Sequence, residues 1–237
     1  MVVRLDAPQP TFALPPIDQI PDEVEDKPKS GLPLEILGPF RFPALVFGAA
    51  SFSHQYNDDD HLASFTPLRT VRLALRYGIC SFDTSAYYGP SEIVLGAALK
   101  ALQKEFPRSS YKLTTKCGRY GSTHADFDYS PATIRASVNR SLARMHTEYL
   151  DAVYLHDVEF VCTPVGPNEF GDKIVALNEE MEVYGLGEGD EGKIWGEGDH
   201  KILEAVVELR KMQEEGLIRR IGITGVEHNR KSRKFNY

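Results

Sequence analysis

The sequence predicts an α/β fold built on parallel strands, and three observations carry that prediction. Short apolar runs of strand length alternate with longer segments whose apolar residues recur at helical spacing. Gly, Pro and Ser or Thr punctuate the junctions. Three successive strand-like runs each finish on an ionisable residue: Asp83, Lys116 and His156. Strict alternation of strand and helix implies parallel strands joined by right-handed crossovers. An open doubly wound sheet and an eight-stranded β/α barrel share this rhythm. Counting does not separate them, since a barrel takes eight strands in about 250 residues and five strands are readable here.

Taken in order, residues 1–33 hold seven of the fifteen prolines with Asp18, Asp22, Glu23, Glu25 and Asp26, and read as a flexible leader. Two short apolar runs around Gly38-Pro39 predict a β-hairpin over 34–42. The unbroken apolar run 44–52 predicts a strand buried on both faces. Thr66-Pro67 predicts an N-cap with proline at the first helical position; Leu68, Val71 and Leu75 form the buried stripe and Gly78 the stop. A strand over 79–85 follows, then a helix opened by Ser91 and a strand over 111–117. Ser130-Pro131 opens the next helix, with Ile134, Val138, Leu142 and Met145 on one face. A fourth strand spans 151–156. After a Gly- and acid-rich excursion over 157–198, Asp199 is expected to cap a helix that Gly216 ends. The fifth strand spans 217–224.

Composition narrows the function. The chain has 237 residues, 42% hydrophobic and 26% charged, an ordinary globular balance. A net charge of −7 argues against nucleic acid as the main partner and suits a neutral substrate such as a sugar. Cys80, Cys117 and Cys162 are widely spaced, without a CxxC pair or metal-type cluster, so free thiols in a reducing compartment are expected. No apolar run approaches the roughly 18 residues of a membrane span. The N-terminus has no signal-type apolar segment, and its acids argue against a transit peptide, so the cytoplasm is the expected location.

A charge at the end of a buried strand is costly unless paired. In parallel β/α folds those ends share one face, where active sites lie. Asp83, Lys116 and His156 are thus expected together, with Tyr87 and Tyr88 in the loop after Asp83 equally close by spacing. Each alone has a structural reading: a cap or salt-bridge partner, a solvated strand end, a core histidine. The run 187–192 spells GxGxxG, but no buried strand precedes it and its acids would repel a pyrophosphate, so it reads as a solvated loop. Neither a Tyr-x-x-x-Lys pair nor HExxH spacing occurs.

The run Asp83-Thr84-Ser85-Ala86-Tyr87-Tyr88-Gly89-Pro90-Ser91-Glu92 resembles the aldo-keto reductase signature Asp-Thr-Ala-x-x-Tyr-Gly-x-Ser-Glu. Lys116 and His156 match the family's lysine and histidine at the third and fourth strand ends. The glycine-rich stretch 184–199 and the run 221–225 are similar to the D-arabinose 1-dehydrogenase and L-galactose dehydrogenase branch. The resemblance implies a (β/α)8 TIM-barrel type of fold and NAD or NADP as cofactor. The implied reaction oxidises an aldose at C1 to its lactone. The implied catalytic set is Asp83, Tyr88, Lys116 and His156. Lys116 would favour the phenolate of Tyr88, Asp83 would hold Lys116 charged, and His156 would bond the substrate oxygen. By the same resemblance Ala50, Ser51, Asp83 and Thr224 border the cofactor, and Phe52 lines the substrate pocket with Tyr88 and His156. Gly225 stands where many members carry an amide-gripping side chain.

The family barrel is expected to be truncated here after about five β/α units. That leaves a partial barrel over 34–225 and a basic non-family tail over 226–237 bearing Arg230, Lys231, Arg233 and Lys234. Open parallel edges invite aggregation or a protein partner. A catalytically inactive, partner-binding protein is therefore the alternative expectation.

Overall fold

The computed structural model describes residues 4–27, 34–38, 41–166, 181–190 and 192–225. The expected tail, 226–237, lies outside them, as do parts of the leader and of the excursion. The chain opens with the predicted hairpin: β1 (Ile36–Leu37) pairs antiparallel with β2 (Phe42–Pro43). Five parallel strands follow, β3 (Phe47–Gly48), β4 (Ser81–Asp83), β5 (Lys112–Cys117), β6 (Ala152–Leu155) and β7 (Ile221–Ile223). They are hydrogen-bonded in the order β3-β4-β5-β6-β7. A doubly wound sheet reverses its strand order at a switch point. This one never reverses, so the winding is of the β/α-barrel type, and the described sheet is not closed.

The helices are α1 (Asp59–Leu62), α2 (Phe65–Arg76), α3 (Ser91–Ala101), α4 (Pro131–Arg144) and α5 (Glu197–Glu214). Their buried faces meet the sheet in one core, where Leu68, Leu95, Ile134 and Leu209 pack with Phe82 and Leu113 of the strands. Three local expectations change. The cap of α2 is Ser64, whose Oγ accepts the Thr66 N–H at 3.2 Å, because Phe65 is already helical. α1, too short for periodicity to reveal, is capped by Asp58 through the His61 N–H at 2.8 Å. α5 begins two residues before Asp199. That carboxylate instead receives the N–H groups of Thr163 and Trp195, at 2.9 and 2.8 Å, and ties two loop segments to the helix start.

The run 44–52 departs furthest from expectation. Only Phe47–Gly48 is strand, and Leu45 and Val46 are about half exposed, at 52% and 47%. Among the described residues β3 has one neighbour, β4, and so forms one edge of the sheet. At the other edge β7 pairs, among the described residues, only with β6, and Ile223 is exposed.

Residues 4–27, expected as a flexible leader, lie along the helices in this structure. The signal is in the acids and in the arginines that meet them. Asp26, nearly fully buried, takes Arg69 at 2.6 Å and Arg72 at 3.7 Å; Asp22 takes Arg76 at 2.7 Å. Ile20 is buried in the core, with Phe12 and Leu14 packed against it. Prolines cannot build helix or sheet, but they suit an extended strap that side chains from α2 and α4 pin down.

Glycine is required where α3 crosses α4. A Cβ at Gly96 would stand 2.1 Å from the Arg144 carbonyl oxygen and 2.6 Å from the Met145 Cα. In an exposed helix Gly→Ala stabilises by up to about 1 kcal/mol. Here the clash is with backbone, which cannot rotate away, and overpacking costs about 1–3 kcal/mol. Gly96→Ala is therefore expected to lower the urea midpoint. A raised midpoint would show that the two helices do not approach this closely.

Candidate active site

All five parallel strands point their C-terminal ends to one face, and the predicted ionisable residues meet there. Asp83 ends β4, Lys116 lies near the end of β5, and His156 follows β6. The Lys116 ammonium is 2.5 Å from Asp83 Oδ2 and 3.0 Å from the Thr84 carbonyl oxygen. The other Asp83 oxygen accepts the Thr114 hydroxyl at 3.1 Å. A charge in this largely buried position is tolerable because it is paired with an opposite charge and further hydrogen-bonded.

Spacing left two tyrosines level; in the structure both rings flank His156, at 6.0 Å for Tyr87 and 5.7 Å for Tyr88, but they meet different cations. The Lys116 Nζ lies 4.8 Å from the centroid of the Tyr88 ring, whereas Tyr87 stacks on Arg119, 4.3 Å from the guanidinium carbon. The ammonium sits over the Tyr88 ring, not in a hydrogen bond to its hydroxyl. The loop can turn here because Gly89 takes φ +55°, and a Cβ there would meet the left-handed backbone penalty though nothing crowds it.

His156 is buried edge-on to Tyr88, with ring centroids 5.7 Å apart. Its Nδ1 is 3.0 Å from Ser85 Oγ, and its Nε2 is 3.5 Å from Asp157 Oδ2. The Tyr129 hydroxyl donates to its carbonyl oxygen. Burial pushes the imidazole down to about 4, helped by the charges of Lys116 and Arg119 and opposed by Asp157. At neutral pH it is the uncharged ring. Asp157 itself adopts φ +58° and is ion-paired with Arg119.

The remaining predicted residues divide. Ala50 is half-buried and Ser51 exposed in the turn after β3, next to open space, since a Cβ on Gly48 would meet nothing within 4 Å. Phe52 is buried in the core, tilted against Phe47 at 5.8 Å, so it does not line an open pocket here. Thr224 is committed elsewhere. Its hydroxyl accepts the Asp157 N–H at 3.1 Å and donates to the Asp157 carboxylate at 3.3 Å. Residues 187–189 and 192 lie in bends and turns, and among the described residues 181–186 before them there is no strand. Among the described residues no group of His, Cys, Asp or Glu is placed to hold a metal, and no helix is long and apolar enough to cross a membrane.

Half of the signature run proves structural. Ser91 donates to the Ala49 carbonyl oxygen at 2.6 Å and so accepts from Thr84 at 2.8 Å, locking the β3 turn to the β4 loop. Glu92 is fully buried. It accepts Thr115 and Ser141 at 2.6 and 2.7 Å and pairs with Arg144 at 3.1 Å, joining α3, β5 and α4. Sequence reading missed Ser85, Arg119 and Asp157. Two signals were available: a serine where the signature has alanine, and an acid directly after His156.

The profile of the aldo/keto reductase family matches residues 44–233, eight residues into the segment set apart as a non-family tail. D-arabinose 1-dehydrogenase of Saccharomyces cerevisiae is 38% identical over 181 residues, 76% of this chain and 42% of that protein. L-galactose dehydrogenase of Arabidopsis thaliana is 36% identical over 188 residues, 77% of this chain and 44% of that protein. The chain therefore spans under half the length of these relatives. Among solved structures, an aldo-keto reductase of Bacillus halodurans in its holo form superposes with a TM-score of 0.54 at 24% identity, covering 86% of this chain and 53% of its own. A Pseudomonas aeruginosa protein assigned to the aldo-keto reductases gives 0.52 at 25%, covering 81% and 60%. The profile match over most of its length establishes that the chain belongs to the aldo/keto reductase family.

Proposed function

We propose that this face transfers a proton in a nicotinamide-dependent oxidation of an aldose at C1, giving the lactone. The observation that carries the reading is the Lys116 ammonium, held by Asp83 at 2.5 Å and lying 4.8 Å from the Tyr88 ring, with neutral His156 alongside. The aldose is suggested by the likeness to D-arabinose 1-dehydrogenase and L-galactose dehydrogenase.

In the oxidative direction Tyr88 Oη takes the proton of the sugar C1 hydroxyl. The ammonium close to the ring is a positive charge beside the group that takes the proton. Asp83 holds that ammonium in place, so no reorientation is needed when charge develops. His156 donates a hydrogen bond to the same substrate oxygen and fixes its orientation. NAD or NADP, once bound, supplies the hydride acceptor. Ala50, Ser51 and Asp83 border the open space at the end of β3 and fit the nicotinamide end of that molecule. Thr224 does not fit that role while its hydroxyl is held by Asp157.

Calorimetric titration with NAD, then NADP, is expected to show saturable binding, and D-arabinose or L-galactose to be oxidised with appearance of the reduced nicotinamide. Tyr88→Phe is expected to lower kcat by about 10²–10⁴-fold, while Tyr87→Phe stays within a few-fold of the parent. Equal losses in both variants would reject the assignment of the tyrosine. Soluble, folded protein that binds neither nucleotide would reject the enzyme reading.

Burial of neutral His156 also predicts a pH signature. An unfolded histidine titrates near ~6.5, and the folded one is pushed down to about 4. Between these values the unfolded chain binds a proton that the folded chain refuses. The contribution is thus complete above about pH 6.5 and is lost as pH falls toward about 4, a span on the order of 3 kcal/mol. In urea melts His156→Asn should flatten the stability slope across that window. Parallel slopes for parent and variant would show that His156 is not a buried neutral ring.

A further inference from the structure

We infer that Ser85 is a positioning residue that holds His156 in the Nε2–H tautomer, leaving Nε2 as the hydrogen-bond donor of the site. The inference rests on the proposed function for its catalytic consequence, though not for the tautomer itself. Two contacts fix the proton. The Tyr87 backbone N–H, which can only donate, reaches Ser85 Oγ at 3.1 Å. Ser85 Oγ then stands 3.0 Å from His156 Nδ1. Ser85 is fully buried, and among the described residues its hydroxyl has no other partner. Were Nδ1 to carry the hydrogen, the hydroxyl would accept twice and its own hydrogen would be buried without an acceptor, a costly arrangement. Ser85 therefore donates to a bare Nδ1, and the ring hydrogen is on Nε2.

The opposite side of the ring gives the same answer independently. Nε2 faces Asp157 Oδ2 at 3.5 Å. A lone pair there would confront a carboxylate; an N–H is attracted to it. At that distance the N–H is drawn toward the carboxylate but not captured in a short hydrogen bond, so it remains able to serve a substrate oxygen. Asp157 cannot swing closer. Arg119 and the Thr224 hydroxyl hold its carboxylate, and the Thr224 oxygen also receives its backbone N–H at 3.1 Å. Alanine in place of Ser85 would remove the donor to Nδ1 and strand the Tyr87 N–H.

The test is a long-range proton–nitrogen correlation spectrum of the ¹⁵N-labelled full chain at neutral pH, with the His156 ring assigned by its absence in His156→Asn. The expected spectrum shows an unprotonated Nδ1 and a protonated Nε2. In Ser85→Ala the Nδ1 resonance should move toward that of an unbonded ring nitrogen, with admixture of the other tautomer. Ser85→Thr, which keeps the hydroxyl, should stay with the parent. In turnover, Ser85→Ala is expected to lose about tenfold in kcat, as befits one hydrogen bond, with little change in the nucleotide KM and with recovery in Ser85→Thr. A protonated Nδ1 in the parent overturns the inference, and that spectrum decides the tautomer even if Ser85→Ala fails to fold. An unchanged His156 spectrum in folded Ser85→Ala also overturns it. The expected spectra from protein without any turnover would support the tautomer lock and overturn the oxidoreductase reading instead.

Discussion

The candidate site depends on one ion pair, Asp83 with Lys116. Both residues sit at the C-terminal ends of neighbouring parallel strands, where a lone charge would be expensive to hold. Pairing makes each tolerable, and the pairing is geometric. β4 and β5 run in register from Ser81 opposite Lys112 to Asp83 opposite Thr114, so Lys116 reaches back across the strand ends. The Thr114 hydroxyl and the Thr84 carbonyl oxygen add a hydrogen bond to each partner. The pair is then both a fastening between strands and a fixed positive charge aimed at Tyr88. A lysine alone would swing into water, and an aspartate alone would be a second negative charge beside a phenolate.

That pairing also explains how far the sequence could be read. Strand and helix rhythm is a local signal, and it located β4 to β7 and the four longer helices. It failed where neighbours decide the outcome. The run 44–52 has strand composition throughout, yet strand forms only at Phe47–Gly48, where β4 supplies the pairing partner, and the chain turns over Ala49–Ser51. Ser64 outcompetes Thr66 as a cap through backbone geometry that composition does not encode. The leader was legible as proline-rich and acidic but not as a strap. Its order comes from Arg69, Arg72 and Arg76, more than forty residues on, which supply long-range charge pairs. That Lys116 lies over Tyr88 and Arg119 over Tyr87 likewise has no periodic signature.

The signature run is instructive because its residues do unrelated physical jobs. Asp83 and Tyr88 lie against the Lys116 ammonium at the strand ends. Thr84 and Ser91 exchange hydroxyl bonds with the β3 turn, and Glu92 fastens α3 to β5 and α4. A motif match alone cannot say which member reacts, since a buried glutamate with three partners is as constrained as a catalytic one. Burial and partner count separate them. Glu92 is sealed and saturated from within, whereas Tyr88 is only half-buried.

Under the proposed function, proton and hydride would be handled on different parts of the sheet. The residues proposed for the proton lie on or just after three adjacent strands, β4, β5 and β6, whose mutual hydrogen bonds hold Asp83, Lys116 and His156 in one arrangement. The side where a nicotinamide would lie is bordered by the turn after β3 and the loop after β7, the two strands that have a neighbour on one flank only among the described residues. Residues there follow whatever else they touch. Ser51 is exposed, and Thr224 has been recruited by Asp157, the acid that flanks the histidine. Thr224 and Arg119 together hold the Asp157 carboxylate that faces His156 Nε2, so the loop after β7 is tied to the histidine through one acid.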